Sequence, residues 1–368
     1  MNISRDGGFR LTAGQILQHG DVASPDFSDM KAQAVVFTAP GVVKFQETSC
    51  PDPGPNDVVI DLTHSWVSNG TEGSFLRGER LAGDTAKAPG DPEPFPMIAG
   101  YQKVGWVREV GAEVKDFAVG DFVFAIMSAV EGMFDNQFAG HVSPSICAQH
   151  FVHKLPPEAQ NDPEAYCGMV LTQVGYNCGT RPRLESGELA VVVGDGLVGQ
   201  WTGQALAQRG ARVIMTGRHE DRLAKFRDGG YGRALKVASD GVDEIVALDE
   251  GPISVLVDTV GDAKLFDAYL PHLKHGGTIA AAGFYGLEGF IEIQRYRFRE
   301  IAFDLVAGIT TERIDRTIAW VAEGKLDTKS LITHRFPVEE AADAWDLIES
   351  KREPVLGVIL QWKPGGEL

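Results

Sequence analysis

The sequence predicts a two-part α/β protein: a β-rich, barrel-like domain followed by a doubly wound parallel sheet. Short strand patterns bounded by Pro, Gly, Asp or Asn crowd the chain from Lys31 to roughly Pro157. Beyond them strands alternate with helices. The 368 residues also exceed what one hydrophobic core usually organises.

In chain order, the first region reads KAQAVVFTAP, NDVVIDLTHSWV, KVGWVREVG and DFVFAI, all strand-like and closely spaced, as in small barrels. The second reads ELAVVVG as a buried strand, LVGQWTGQALAQRG as a helix, ARVIMTG as a strand and EDRLAKFRDGG as a helix. It continues with ISVLVDTVG as a strand, AKLFDAYLPHLKHG as a helix and GTIAAAGF as a strand. Strands joined through helices run parallel. Around Gly308 the alternation stops. RIDRTIAWVAEG and EEAADAWDLIES are helical by period, and the final strand PVLGVILQW is free, on sequence alone, to pair with either domain. The first thirty residues read as a loosely ordered arm.

Composition excludes several function classes. Hydrophobic residues at 43% and charged residues at 23% lie far from the disordered regime. A net charge of −17 without any Lys/Arg run disfavours nucleic acid and anionic membranes as partners. No eighteen apolar residues run together, and the start lacks the basic, then apolar, pattern of a secretory signal, so a cytoplasmic protein is expected. Cys50, Cys147, Cys167 and Cys178 are scattered without metal-ligand spacing, which predicts neither a disulfide framework nor a structural zinc.

VVVGDGLVGQWTGQALA carries Gly194, Gly196 and Gly199 in G-x-G-x-x-G spacing, after a strand and opening a helix at Leu197 and Val198. Gly194 suits a tight turn, Gly196 lets backbone approach a pyrophosphate, and Gly199 lets helix pack on strand. The helix N-terminus adds positive dipole. This context predicts dinucleotide binding. At the end of the next strand, where an acid usually binds the adenosine ribose, stands Gly217, followed by Arg218 and, one turn on, Arg222. Loss of the carboxylate and gain of guanidinium favour NADP over NAD. The alternative reading makes both arginines solvated helix-start residues and gives the ribose to Glu220 or Asp221.

With these parts in order, the chain resembles the medium-chain dehydrogenase/reductase superfamily from about Lys31 to Trp362. The resemblance is carried by KAQAVVFTAPG, PMIAGYQKVGWVREVGAEVKDFAVGDFVFA, the glycine turn and LITHRFPVEEAADAWDLIES. It implies a GroES-like catalytic domain at 31–166 and 309–368, a Rossmann domain at 167–308, an arm at 1–30, and a cleft between the domains for nicotinamide and substrate. Homodimers or homotetramers are usual in the family.

The family's catalytic zinc ligands fall, residue by residue, on Asn69, Tyr101 and Val170, none of which suits zinc. No metal is expected. SNGTE, GFYG and LITHR further resemble the zinc-free hydroxyethyl-bacteriochlorophyllide dehydrogenases, which oxidise a secondary alcohol to a ketone, although Gln102 replaces their glutamate. The resemblance places Tyr101 where its phenol would polarise a substrate oxygen; the alternative is an aromatic plug in the emptied pocket. Lys103, two residues on, either lowers the phenol pKa or lies on the surface. Thr71 matches the family's proton-relay hydroxyl, Asn69 offers an amide hydrogen to the same oxygen, and Ser74 stands where a relay histidine is common. Glu72 reads as structural, and His141 as either catalytic or a satisfied core histidine. Gly283, Phe284 and Tyr285 fall near the nicotinamide edge, with Trp66 and Phe95 as further pocket aromatics. The implied activity is NADP-dependent, zinc-independent interconversion of an alcohol and a carbonyl. Reduction of an activated C=C bond in an enone or quinone, and NADPH binding without catalysis, are the competing readings.

Overall fold

The computed structural model describes residues 30–81, 85–136, 139–285 and 289–363. The expected arm lies outside them, apart from Met30, which opens the first strand.

The β-rich region runs β1 (Met30–Ala39), β2 (Val42–Cys50), β3 (Asp57–Val67), helix α1 (Asn69–Leu76), β4 (Met97–Ile98), β5 (Lys103–Val110), β6 (Phe122–Ala125), β7 (Val142–Ser143), β8 (Ser145–Ala148) and β9 (Val152–Lys154). The nucleotide region follows with α2 (Met169–Thr180), β10 (Leu189–Val193), α3 (Leu197–Gln208), β11 (Arg212–Gly217), α4 (Glu220–Asp228), β12 (Arg233–Lys236), α5 (Val242–Ala247), β13 (Ile253–Asp258), α6 (Lys264–Tyr269), β14 (Leu273–Ala281), α7 (Ile293–Arg297) and β15 (Ala302–Leu305). The chain closes with α8 (Thr311–Ala322), β16 (Ile332–Pro337), α9 (Ala341–Ser350) and β17 (Gly357–Gln361).

β3 owes its central place to its composition. Val58, Ile60 and Leu62 alternate with Val59 in a run fully buried on both faces, which suits a strand covered on each side. It pairs with β5 and with β17, in a sheet ordered β16-β17-β3-β5-β6-β9. The antiparallel register Ile359↔Trp66 answers the question left by the sequence: the last strand returns to the β-rich part. A second sheet, β2-β1-β4, packs beneath α9, where Phe37 meets Trp345 edge-on at 5.3 Å.

The nucleotide sheet has the order β12-β11-β10-β13-β14-β15, with every pair parallel. Strand order reverses between β10 and β13, the position at which such sheets bind ligands beyond their carboxyl ends. AKLFDAYLPHLKHG differs from expectation. Pro271, lacking an amide hydrogen, ends the helix in a single 3₁₀ turn at Leu270–His272, and Leu273 already belongs to β14. The two regions share a core in which Trp66 and Trp201 lie 5.8 Å apart among Tyr166, Met169, Val170 and Ile314. Trp66 is fully buried there, so it is a core residue and not a pocket wall. Among the described residues no helix is long and apolar enough to cross a membrane, and all four cysteines are free and buried.

Candidate active site

The glycine turn joins β10 to α3 at the switch point. Gly194 adopts φ +115°, and a Cβ on Gly199 would lie 2.1 Å from the Gly194 carbonyl, so helix and strand touch through backbone alone. At Gly196, the N-cap of α3, the space a Cβ would enter is open for 4 Å. A phosphate approaching there meets the free amides of the first helical turn, which Leu197 and Val198 begin, while Leu197 also packs on the shared core.

At the end of β11, the buried Asp195 of the same turn accepts hydrogen bonds from the backbone N–H of Arg218 and of His219, both at 2.8 Å. Arg222 donates to Asp195 Oδ1 at 3.3 Å and to the Val355 carbonyl at 2.7 Å. The guanidinium is thereby held within the protein, which corrects its expected place beside a 2′-phosphate. Arg218 is exposed. Just beyond β14, Gly283 packs on Gly261, and a Cβ there would lie 2.1 Å from its nitrogen. Phe284 is half exposed. Tyr285 instead donates its hydroxyl proton to the buried Asp258, 2.7 Å away, whose carboxylate also collects the amides of Val260, Gly261 and Asp262. Tyr285 therefore locks the loop. Phe95 packs on the β-rich core.

Opposite lies the corner Gly100–Tyr101. Gly100 has φ +86°, and a Cβ on it would stand 2.5 Å from His141 Nε2. His141 is fully buried between Glu72 Oε2 and Ser65 Oγ, each at 2.9 Å. Ser65 Oγ accepts from the Trp362 indole at 2.9 Å, leaving its own proton for His141 Nδ1 and placing the imidazole proton on Nε2, toward Glu72. The other Glu72 oxygen takes the Ser68 amide at 2.7 Å and so closes the start of α1. Glu72 is structural, as its sequence position suggested, and His141 is its partner.

Tyr101 packs against the shared core. Burial pushes its phenol pKa up; the hydroxyls of Ser68 and Thr71 and the charge of Arg80 pull it down, while Glu72 adds to the rise. At neutral pH the phenol therefore keeps its proton. Arg80, unforeseen from sequence, is a buried cation with its guanidinium carbon 3.9 Å from the Phe284 ring centroid, a contact spanning the two regions. Its neighbour Arg77 pairs with Glu79 and Glu349 at the surface, and nothing in FLRGERL distinguishes the two.

The remaining candidates are placed less favourably. Lys103 is fully buried, and its ammonium donates to the carbonyls of Met127 at 2.6 Å and Ala139 at 3.1 Å. Pairing with Tyr101 by strand alternation does not arise, because the strand begins only at Lys103. Burial lowers the Lys103 pKa, with Cys147 and Cys50 opposing. Asn69 donates its amide to the Leu356 carbonyl at 2.8 Å, and its buried Oδ1 has no partner among the described residues; the acceptor, not the donor, is left over. Ser74 bonds back to the Thr71 carbonyl at 2.7 Å, within α1.

These residues do not fit a catalytic zinc. Val170 has no donor atom, the Glu72 and His141 ligating atoms are engaged with each other and with Ser68 and Ser65, and no group of three or more His, Cys, Asp or Glu suited to a metal occurs among the described residues.

A parallel sheet with a glycine turn at its switch point, joined to a β-rich region, has the form of a dinucleotide-binding fold. A family model described as zinc-binding dehydrogenase matches residues 198–323. The 2-desacetyl-2-hydroxyethyl bacteriochlorophyllide A dehydrogenase of Cereibacter sphaeroides is 25% identical over 343 residues, covering 91% of this chain and 99% of the relative. A solved alcohol dehydrogenase of Escherichia coli, complexed with NADH, superposes with a TM-score of 0.77 at 18% identity, covering 90% and 99% of the two chains. A zinc-binding dehydrogenase from Sinorhizobium meliloti, described as putative and bound to NADP, gives 0.74 at 20% identity, with the same coverage. The chain is thus similar to medium-chain dehydrogenases over about nine-tenths of its length and shares the fold of the solved ones.

Proposed function

We propose that the chain is a zinc-independent oxidoreductase that moves a hydride between NADP(H) and a small-to-medium organic alcohol or carbonyl. The observation that carries this reading is the Tyr101 phenol, packed beside the hydroxyls of Ser68 and Thr71 and near the Arg80 cation, at a position that the family resemblance gives to a zinc ligand. Bound nicotinamide supplies or accepts the hydride. In the reductive direction Tyr101 Oη–H donates to the substrate oxygen as negative charge develops on it, and the partly exposed Thr71 hydroxyl passes a proton to the phenolate as it takes one from solvent. Arg80 steadies that phenolate electrostatically. Phe284, under Arg80, flanks the nicotinamide edge of the cleft.

NADP(H) is favoured by Gly217 and the exposed Arg218, and the NADP-bound relative from S. meliloti is in keeping with it. The domains divide at 31–166 with 309–368, and at 167–308. A cytoplasmic location accords with four buried free thiols. A homodimer or homotetramer accords with the exposed Ile293, Phe298 and Leu305 along the edge strand β15 and the helix before it.

The test is a screen of alcohols, ketones, aldehydes, enones and quinones with NADP(H), read at the nicotinamide absorbance, with product identification. Carbonyl-to-alcohol conversion is expected. An alkene reduced with its carbonyl retained would transfer the assignment to C=C reduction, and tight NADPH binding without turnover would make the protein a non-catalytic binder.

A further inference from the structure

We propose that Phe284 is a positioning residue for catalysis: its ring holds the Arg80 guanidinium beside Tyr101, so that the charge supporting the phenolate is assembled across the boundary between the two regions. The proposal rests on the reading of Tyr101 as proton donor and names what sets that donor's surroundings.

Each partner is fixed from its own side. Arg80 belongs to a short hairpin rooted on α1: the Glu79 amide donates to the Ser74 carbonyl at 2.9 Å, the Lys87 amide to the Glu79 carbonyl at 2.9 Å, and the Leu81 amide to the Thr85 carbonyl at 3.0 Å. Arg80 itself pairs with Ala86 in an antiparallel bridge. The helix beneath carries Thr71 and is preceded by Ser68. The hydroxyls around Tyr101 and the root of the hairpin therefore share one element.

Phe284 comes from the other region. The residues on either side of it are tied to Asp258: the Gly283 amide donates to its main-chain carbonyl at 3.1 Å, and the Tyr285 hydroxyl to its carboxylate at 2.7 Å. A Cβ on Gly261 would lie 2.4 Å from the Phe284 carbonyl, so the backbone beneath the ring is in close contact with its neighbour. Thr259 in turn bonds the Val193 carbonyl, through its amide at 3.0 Å and its hydroxyl at 2.9 Å, just before Gly194. The ring is thereby placed relative to the glycine turn.

Where the two meet, the guanidinium carbon stands 3.9 Å from the ring centroid. Arg80 is 6% exposed there, and Phe284 45%. The ring quadrupole attracts the cation without adding a negative charge, so this contact fixes the guanidinium and does not cancel it. Burial raises the Tyr101 phenol pKa, and Arg80 opposes that rise. A cation held near a forming phenolate in surroundings that exclude water acts more strongly than one left to wander in solvent. A leucine at 284 would fill part of the space and supply no such attraction.

The test replaces Phe284 by Leu, by Tyr and by mono-, di- and trifluorinated phenylalanine in the full chain, alongside Arg80→Met alone and combined with Phe284→Leu. Reductive kcat at saturating NADPH should fall about fivefold or more in Phe284→Leu, stay within about twofold in Phe284→Tyr, and decline stepwise as fluorines weaken the ring's pull on a cation. In the Arg80→Met background, Phe284→Leu should change kcat by less than about twofold, because the contact is already gone. Without cofactor, the fluorine NMR signal of the monofluorinated chain should move when Arg80→Met is added. Equal effects of Phe284→Leu in the two backgrounds, a kcat indifferent to fluorination, or an unmoved fluorine signal each overturn this proposal and leave the Tyr101 reading standing. A Tyr101→Phe variant with wild-type kcat overturns that reading and this proposal with it. The fluorinated chains keep the shape of the ring, so they decide the matter if Phe284→Leu or Arg80→Met does not fold.

Discussion

The glycine turn at Gly194–Gly199 and the corner at Gly100–Tyr101 are built on one device, a glycine pressed against a neighbour that leaves no room for a Cβ. They differ in what the neighbour is and in what lines the surface above it. Gly199 presses on a backbone carbonyl, and the surface it shapes consists of amides. Gly100 presses on the His141 imidazole, and the surface it shapes consists of side chains: Tyr101, Thr71 and Ser68, with Arg80 beyond. A site made of backbone tolerates little change in sequence, because only glycine fits it. A site made of side chains can exchange its chemistry while the scaffold beneath, here the Glu72–His141–Ser65–Trp362 chain, stays in place.

The largest effect should come from that scaffold. Removing one partner of a buried pair leaves the other uncompensated, so Glu72→Ala should lower unfolding stability by about 3–5 kcal/mol in urea titration. A loss below about 1 kcal/mol would mean that the pair carries nothing of the corner. The second effect separates the corner from the turn. Tyr101→Phe should reduce reductive kcat by about 10²-fold or more while NADPH affinity stays within about twofold. Unchanged kcat would reduce Tyr101 to a plug. Because burial raises the phenol pKa, the reductive rate should show no loss from Tyr101 ionisation as pH rises to about 10.

The reverse separation is smaller. Arg218→Ala should weaken NADPH about tenfold or more and leave NADH and kcat almost untouched; equal effects on both cofactors would remove Arg218 from the phosphate site. Smallest is Lys103→Met, which should leave kcat within about twofold, since the ammonium is bound to two carbonyls and not to the phenol. Its signature is in stability. The Lys103 pKa is lowered on folding, so the unfolded chain binds more protons over the window from the folded value up to about 10.5, and wild-type stability should rise with pH across it. The Met variant should lack that slope, as read by denaturant midpoints at pH 8 and above.

How far the sequence could be read follows the same division. β1, β3, β5 and β10 are long or strongly apolar and stood out by period, as did the turn whose glycines follow a strand. β12 and β15 did not, being four residues each with mixed polarity and held by pairing to β11 and β14. The substitutions at Asn69, Tyr101 and Val170 were legible because the motif around them was. Their consequences were not: Glu72 meets His141 across 69 residues, Asp195 meets His219 across 24, and Arg80 reaches Phe284 only once the two regions are packed. Those contacts are products of tertiary folding, and local pattern carries no trace of them.

The central claim is that a phenol, not a metal, stands at the reacting oxygen. It is tested most directly by the metal content of purified, NADPH-oxidising protein, measured by mass spectrometry before and after chelation, with turnover followed alongside. The account predicts far less than about one zinc per chain and turnover that chelation leaves unchanged; about one zinc per chain, lost together with activity, would contradict it.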